Sequence, residues 1–307
     1  MRESFEVSAP GKLMLLGEHA VLHGHRALVC AINRRVTARL APRTDTTLVV
    51  RSELGELKTD LRTLRAAEPF RFVLGAVRES RELLDTGFEL QIRSQFSSET
   101  GFGSSAAVTV VTVAAVQLWC QGELDVEEVF ARSLRAVRSV QGTASGADVA
   151  ASTFGGAIVY RANPLEIQRL RGSFPLVAVY SGAKRPTSEV IAFVAERRER
   201  HPAAFEHIYA AMDACVGEAK TAIESGDLPA LGELLNIGQG LMDAIGVSNR
   251  DLSALAYRLR EDAGIFGAKI SGSGLGDCVV GIGRLEKLRL PRPTYLLEVM
   301  EEGVRVD

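Results

Sequence analysis

Hydrophobic and polar residues follow two kinds of pattern along the chain. Short segments of strand composition, bounded by turn residues, predict strands in the first half at Ser4 to Ser8, Lys12 to Leu16, Ala27 to Leu40, Thr46 to Arg51 and Phe88 to Arg93. Longer segments predict helices at Pro69 to Leu84, Ser104 to Trp119 and Val126 to Val140. The last helix is amphipathic, and Arg132, Arg135 and Arg138 are expected on its exposed side.

A second half is predicted to begin near Asn163-Pro164. Helices are expected there at Ser188 to Arg200, Ala203 to Ser225, Leu228 to Ile245 and Asp251 to Ala263. Strands are expected at Leu176 to Tyr180, Ala268 to Ile270, Cys278 to Ile282 and Tyr295 to Met300. Strands and helices mix without strict alternation, which favours an α+β fold over a doubly wound parallel sheet. A length of 307 residues suggests two domains.

The composition is that of an ordinary globular protein, with 46% hydrophobic and 24% charged residues. A net charge of -2 gives no electrostatic reason to expect a nucleic acid or an anionic membrane as partner. The segment from Met1 to Phe5 lacks the apolar stretch of a signal peptide, and polar residues interrupt the apolar run from Ala106 to Cys120, so neither export nor a membrane span is expected. The cysteines are far apart, which predicts reduced, buried thiols in the cytoplasm; they are Cys30, Cys120, Cys215 and Cys278.

Four segments combine glycine with other small residues. They are SAPGKLMLLGEHAVLHG (8–24), ETGFGSSAA (99–107), SGADVAASTFGG (145–156) and KISGSGLGDC (269–278). Glycines let the backbone approach an anion, and the first N–H groups of a helix are unpaired. Lys12 in the first segment and Asp148, the single acid of the third, supply charge among small residues, as phosphoryl transfer requires. When segment 99–107 is considered alone, the alternative to a phosphate-binding loop is an ordinary loop that ends in serine N-caps.

Other kinds of nucleotide site match the chain less well. The sequence contains no G-x-x-x-x-G-K-[ST] P-loop and no protein kinase motifs. Gly101 to Ala106 does match the G-x-G-x-x-A pattern of dinucleotide-binding folds, and Glu123 lies twenty residues past Gly103. In such a fold that acid ends a strand, whereas Glu123 is expected in a turn before a helix, which disfavours an oxidoreductase.

The four segments, in this order, resemble the motifs of the GHMP kinases, the family of galactokinase, homoserine kinase, mevalonate kinase and phosphomevalonate kinase. The resemblance covers nearly the full length. It implies a two-domain α+β fold, with a ribosomal S5-like domain in residues 1–165 and a ferredoxin-like domain in residues 166–307. It also implies a cleft that holds ATP and a small acidic alcohol, with Mg²⁺ as the metal. The oligomeric state stays open, with a homodimer among the alternatives.

The resemblance also implies roles for individual residues. Asp148 matches the catalytic aspartate and Lys12 the active-site lysine, so an ion pair between them is expected. Glu18, His19 and, in the segment SGAKRPTSEV, Thr187 match residues on the substrate side. The positions that match the ATP phosphate site are Gly101, Gly103, Ser104, Ser105, Ala106, Gly272 and Gly274, and Ser105 also matches a metal ligand. For Lys184 and Arg185 two roles stay open, namely substrate binding and ordinary surface charge.

Two positions depart from the pattern of mevalonate kinases, which place a metal-binding glutamate where this chain has Val137 and a glycine where it has Asp277. The segment 8–24 is most similar to mevalonate kinases, whereas GDC, ETG and SGADVAAS resemble phosphomevalonate kinases. The first of these is given most weight because its residues approach the substrate, and Glu18 is expected to repel a substrate phosphate.

The predicted activity is therefore ATP-dependent phosphorylation of the primary hydroxyl of mevalonate, which gives 5-phosphomevalonate for isoprenoid precursors. A phosphomevalonate kinase or another GHMP small-molecule kinase is the first alternative. A non-catalytic binding protein on the same fold is the second.

Overall fold

The first half of the chain combines seven strands with four helices. The computed structural model describes residues 4–307, so Met1, Arg2 and Glu3 of the N-terminal segment lie outside it. The strands are β1 (Phe5–Leu16), β2 (Ala27–Pro42), β3 (Thr47–Ser52), β4 (Gly55–Asp60), β5 (Phe88–Ser94), β6 (Ala157–Ala162) and β7 (Leu165–Leu170). The helices are α1 (Arg71–Glu79), α2 (Ser104–Gln121), α3 (Val126–Gln141) and α4 (Ala147–Phe154), with short 3₁₀ segments at Ala20–His23 and Arg81–Leu83.

The second half contains four long helices and five strands. The strands are β8 (Pro175–Tyr180), β9 (Ile265–Ser271), β10 (Cys278–Gly283), β11 (Thr294–Glu298) and β12 (Arg305–Val306). The helices are α5 (Thr187–Arg200), α6 (Pro202–Ser225), α7 (Leu228–Ala244) and α8 (Arg250–Arg260). All four helices lie between β8 and β9 in the sequence, so they form one crossover connection.

The larger sheet has eight strands in the order β12-β1-β2-β5-β3-β4, with β6 and β7 attached through β2. All pairs are antiparallel except β3 with β5. The length of β2 lets it pair with β6 through residues 27–30 and with β5 through residues 36–42. The β6–β7 hairpin brings residues 165–170 into this sheet, so pairing continues past residue 165, and the division of the chain there stays a prediction.

The smaller sheet has the order β11-β8-β10-β9 and is antiparallel throughout. Counted within this sheet, the strands occur in the order 4-1-3-2, which is the ferredoxin-like arrangement. A loop rather than a second helix joins β10 to β11. This topology, together with the mixed sheet of the first half, confirms the predicted α+β fold.

Helix α2 lies at the centre of the first half, against β1, β2, α1 and α3. By length and composition it is long and apolar enough to cross a membrane, which differs from the expectation for the run from Ala106 to Cys120. Two thirds of it, 67%, is buried inside the protein. The apolar character of α2 is therefore that of a core helix, and it places the loop before Ser104 at a fixed point of the molecule.

Three local expectations need correction. β1 is one continuous strand with an irregularity between Pro10 and Gly11, not two short strands. Arg132 is 8% exposed rather than solvated, because its guanidinium donates to Glu82, to Glu128 and to the Glu79 carbonyl between α1 and α3. All four cysteines carry free thiols, but Cys120 is exposed.

Candidate active site

An aromatic anchor holds the loop that leads into α2. The Phe102 ring is 1% exposed and packs edge-on against Phe96 and Tyr295, at centroid distances of 5.9 and 5.1 Å. The backbone carbonyl oxygen of Phe102 accepts a hydrogen bond from the Lys12 backbone N–H, 2.9 Å away on β1. Gly101 and Gly103 on either side adopt the left-handed conformation, with φ of 77° and 74°. The loop is thus fixed at its centre while its backbone remains close to the cleft.

The serines that follow are not N-caps. The N-cap of α2 is Gly103, and no side chain caps the helix. Ser104 and Ser105 lie in the first turn, are partly exposed, and make no side-chain hydrogen bond within residues 4–307. Their hydroxyls and the first N–H groups of α2 are therefore available to an anion or a metal ion. A phosphate-binding loop at residues 99–107 requires this.

Lys12 and Asp148 form the expected ion pair. Lys12 Nζ lies 3.2 Å from Asp148 Oδ2, and the side chains are 6% and 40% exposed. The lysine stem packs against Gly103, where a Cβ would lie 2.7 Å from Lys12 Cγ. Burial by itself would lower the pKa of Lys12, but the attraction of Asp148, with a smaller part from Asp277, raises that pKa above its usual value. The pair therefore combines a permanently charged ammonium with a carboxylate that solvent or substrate can reach.

Glu18 has a buried partner that the sequence analysis missed. Glu18 Oε1 lies 2.5 Å from Nζ of Lys269, and the side chains are 4% and 1% exposed. Lys269 also donates to the Ile270 carbonyl, and its stem packs against Gly238 of α7. The pair joins the first half of the chain to β9 of the second. Because Lys269 compensates the Glu18 charge, the expectation that Glu18 repels a substrate phosphate loses its basis.

His19 is held in one orientation beside this pair. It has a left-handed φ of 62°, which is uncommon outside glycine, and it is 6% exposed. Its Nε2 lies 2.9 Å from the Ser273 carbonyl oxygen; a carbonyl only accepts, so Nε2 carries the proton. Burial lowers the pKa of His19, although the Ser273 carbonyl and Glu18 oppose this. A neutral imidazole with protonated Nε2 leaves Nδ1 as a hydrogen-bond acceptor.

Two adjoining cavities bring most of the predicted residues together. The smaller one, about 160 Å³, lies between the two halves of the chain, and its lining includes Lys12, Glu18, His19, Ser105, Ala106, Asp148, Thr187 and Gly272. The larger one, about 1010 Å³, shares Ser105 and Thr187 with it and also reaches Ser104. Apolar side chains line much of the larger cavity, among them Phe70, Val73, Phe96, Val108 and Val140. The shared wall lies at the start of α2.

Three predicted glycines do not line either cavity. Gly101 and Gly103 instead allow the close approach of Asp277 and Lys12, respectively. Gly274 packs against the Val247 carbonyl, where a Cβ would lie 2.5 Å away. Lys184 lines the larger cavity and donates to the Ser98 carbonyl, whereas Arg185 is exposed and lines neither. Of these two basic residues, only Lys184 lines a cavity.

The contact between Glu18 and Lys269 could not be derived from spacing, because the residues are 251 positions apart. One signal was available. Lys269 is a charged residue inside a strand that is otherwise small and apolar, directly before a glycine-rich turn. A lysine in such a strand is rarely buried without a carboxylate partner.

The sequence matches known families along most of its length. Residues 71–156 match the GHMP kinases N terminal domain, and residues 219–289 match the GHMP kinases C terminal domain. Residues 2–42 match the galactokinase galactose-binding signature.

Mevalonate kinases are among the proteins to which the chain is similar. The chain is 38% identical to one from Archaeoglobus fulgidus over 98% of this chain and 99% of the relative, and 33% identical to one from Pyrococcus furiosus over 98% and 97%. The fold is also that of the L. major mevalonate kinase solved in complex with R-mevalonate, with a TM-score of 0.81, 27% identity and 96% of each chain covered. Together with the cleft described above, these matches show that the chain belongs to the GHMP kinase family.

Proposed function

We propose that this protein transfers the γ-phosphoryl group of ATP to the primary hydroxyl of mevalonate, giving 5-phosphomevalonate and ADP. The observation that carries the proposal is the Lys12–Asp148 pair in the smaller cavity, which adjoins a larger and partly apolar one. The likeness to mevalonate kinases over nearly the whole chain supports it.

The larger cavity takes the nucleoside of ATP. Its apolar side chains suit a base, and the loop from Glu99, which lines this cavity, leads to Ser104 at the start of α2. The polyphosphate lies against the unpaired N–H groups of that helix, where the helix dipole favours negative charge. This arrangement directs the γ-phosphate toward Lys12 and the smaller cavity.

Asp148 accepts the proton of the attacking hydroxyl. Its carboxylate is 40% exposed, so a substrate oxygen in the smaller cavity can reach it. As the new O–P bond forms, the bond to ADP breaks and negative charge builds up between the two oxygens. The Lys12 ammonium, which is held in place by Asp148 and by Gly103, stabilises that charge without having to move into position.

Two residues that line the smaller cavity fit a divalent cation. Ser105 presents a hydroxyl with no partner within residues 4–307, and one oxygen of the Asp277 carboxyl is buried without a hydrogen bond. Ser105 would hold Mg²⁺ together with the phosphates of ATP. When bound, the ion neutralises phosphate charge and aligns the polyphosphate.

The smaller cavity favours mevalonate over phosphomevalonate. In the part of the chain that the structure describes, the basic side chains lining this cavity are Lys12 and His19, with no arginine. A substrate phosphate requires paired cations, and arginine serves best. Glu18, His19 and Thr187 instead offer hydrogen-bonding groups to hydroxyls. The proposed ligands are thus ATP and one acidic alcohol. We also propose that the protein is located in the cytoplasm.

The proposal is tested by incubating the protein with ATP, Mg²⁺ and mevalonate and identifying the product by ³¹P NMR. We expect one phosphomonoester on the primary carbon for each ADP formed. Release of inorganic phosphate without an ester, or an ester at another oxygen, would contradict the proposal. Asp148→Asn protein prepared in the same way controls for contaminating kinases.

A further inference from the structure

Asp277 has a carboxyl oxygen with no partner. It lies in the loop between β9 and β10, has a left-handed φ of 62°, and is 8% exposed. Its Oδ1 is buried and makes no hydrogen bond within residues 4–307. A buried carboxylate oxygen without a donor or a cation is costly, so such a group in a folded protein calls for an explanation.

This carboxyl faces the loop that precedes α2. A Cβ placed on Gly101 would lie 2.9 Å from Asp277 Cβ and 3.4 Å from Oδ1, and one on Gly272 would lie 3.4 Å from Oδ2. Both glycines have a positive φ, so a side chain at either position would be strained as well as close to the acid. Asp277 also lines the smaller cavity, as Ser105 does. The unpaired oxygen therefore lies beside the proposed position of the ATP phosphates.

The other acids of the smaller cavity are already compensated. Asp148 pairs with Lys12, and Glu18 pairs with Lys269. Asp277 forms no ion pair among the described residues; Lys12 and Lys184 attract it only at longer range. Burial raises the pKa of Asp277 more than these lysines lower it. When the polyphosphate binds next to this acid, the like charges repel unless a cation lies between them.

We infer that Asp277 is a carboxylate ligand of the divalent cation that accompanies ATP. The inference rests on the proposed use of ATP. Mg²⁺ in such sites is bound by one or two carboxylates together with substrate phosphates and water, so one available carboxylate in the cavity that Ser105 also lines is sufficient. A protonated Asp277 that donates a hydrogen bond to a phosphate is the competing role, and it leads to a different result in the experiment below.

The experiment measures Mn²⁺ binding by electron paramagnetic resonance on the full chain, with a non-hydrolysable ATP analogue and no acceptor. Asp277→Asn keeps the shape of the side chain, and Asp277→Gly suits the positive φ, so both variants should fold. We expect each to weaken Mn²⁺ binding to the protein–nucleotide complex by at least about tenfold. Glu123→Gln, which alters an exposed acid that lines neither cavity, should leave Mn²⁺ affinity unchanged.

A second measurement uses the same analogue in excess EDTA. Without metal, Asp277 should repel the polyphosphate, so Asp277→Gly should bind the analogue more tightly than the wild-type protein does. Opposite effects of the variants with and without metal support the inference. Equal Mn²⁺ affinities in wild-type and both variants overturn it, and this is also the result expected for a protonated Asp277. If the wild-type protein fails to bind the analogue at all, the proposed function falls as well.

Discussion

The Asp148 carboxylate lies between two environments, with one side against a buried ammonium and the other open to the cleft. A fully buried pair would be out of reach of a substrate, and a fully exposed pair would be weakened by water. In the observed pair, the 3.2 Å contact involves a buried Lys12 and a partly exposed Asp148. The contact is therefore shielded from water on one side and open to a substrate on the other. At the scale of single residues, this asymmetry separates a reactive acid from a structural ion pair.

Asp148→Asn tests that assignment. The amide keeps the size of the side chain but cannot take a proton, so kcat should fall by at least about 10²-fold. ATP affinity should change little, because Asp148 is not part of the phosphate loop. Steady-state kinetics and equilibrium binding of an ATP analogue measure the two quantities separately. A kcat near the wild-type value would remove Asp148 from the mechanism.

Removing one member of the Glu18–Lys269 pair should be costly. Lys269→Met leaves the Glu18 carboxylate buried without a cation, and a loss of about 3–5 kcal/mol in the free energy of unfolding is expected. The double variant Glu18→Gln/Lys269→Met should recover much of this loss, since no charge then remains buried. Urea denaturation gives the values.

The exposed pair Arg284–Glu298 is the matched control, with a distance of 2.7 Å but side chains 73% and 49% exposed. Arg284→Ala should cost less than about 1 kcal/mol. If Lys269→Met costs no more than this control, the Glu18–Lys269 pair is not a significant contributor to stability.

At the scale of elements, helix α3 is buried on more than one face. Arg132 reaches into the gap between α1 and α3, while Arg135 and Arg138, predicted on the same side, are exposed. Sequence periodicity detects the main apolar stripe of a helix. It does not detect that a neighbouring helix also covers the flank, because that depends on tertiary packing.

Arg132→Ala should therefore destabilise the protein more than Arg135→Ala does. The first change leaves the Glu79 carbonyl and Glu128 without their charged donor, for a loss of about 1–3 kcal/mol. The second removes an exposed contact to Glu79 and should stay within about 0.5 kcal/mol. Thermal unfolding followed by circular dichroism measures the difference. Equal midpoints for the two variants would mean that the burial of Arg132 has no energetic consequence.

The long helices were predictable from sequence, whereas some of the short strands, β4 among them, were not. Helix α2 was predicted at Ser104 to Trp119 and extends from Ser104 to Gln121, because a long apolar run followed by Gly122 marks both its body and its end. Strand β4, with the sequence GELKTD, is mostly polar and forms an edge, so it carries little hydrophobic pattern. The same limit applies to the site. Lys12 with Asp148 followed from motifs, whereas Lys269 with Glu18 arises only from the packing of the two halves.

At the scale of the whole molecule, polar contacts connect the two halves around the smaller cavity. Besides Glu18 with Lys269, the His19 ring contacts the Ser273 carbonyl. Arg26, directly before β2, binds Asp213 of α6 through its side chain and its backbone N–H. These contacts fix the two walls of the cleft relative to one another, so a change at this boundary affects both the site and the overall stability.

His19 makes this boundary sensitive to acid. Its pKa in the folded protein is below the ordinary value of 6.5, so below about pH 6.5 the unfolded chain binds a proton that folded His19 does not. Stability should therefore fall as the pH is lowered from 6.5, by at most about 1.4 kcal/mol per pH unit for this one group. Urea denaturation of wild-type protein and His19→Gln between pH 7.5 and 5 should show a shallower decline for the variant. The exposed His201→Gln should follow the wild-type curve, and an identical slope for His19→Gln would contradict the assignment.

The ratio of kcat/KM for mevalonate to that for phosphomevalonate, with ATP and Mg²⁺, tests the central claim most directly. Among the residues described, the basic side chains that line the smaller cavity are Lys12 and His19, with no arginine. The phosphate group of phosphomevalonate therefore has no paired cations to bind it. We predict a ratio of at least about 10², which corresponds to roughly 3 kcal/mol in transition-state binding. A ratio below one, or ATP binding without phosphoryl transfer to either compound, would contradict the account.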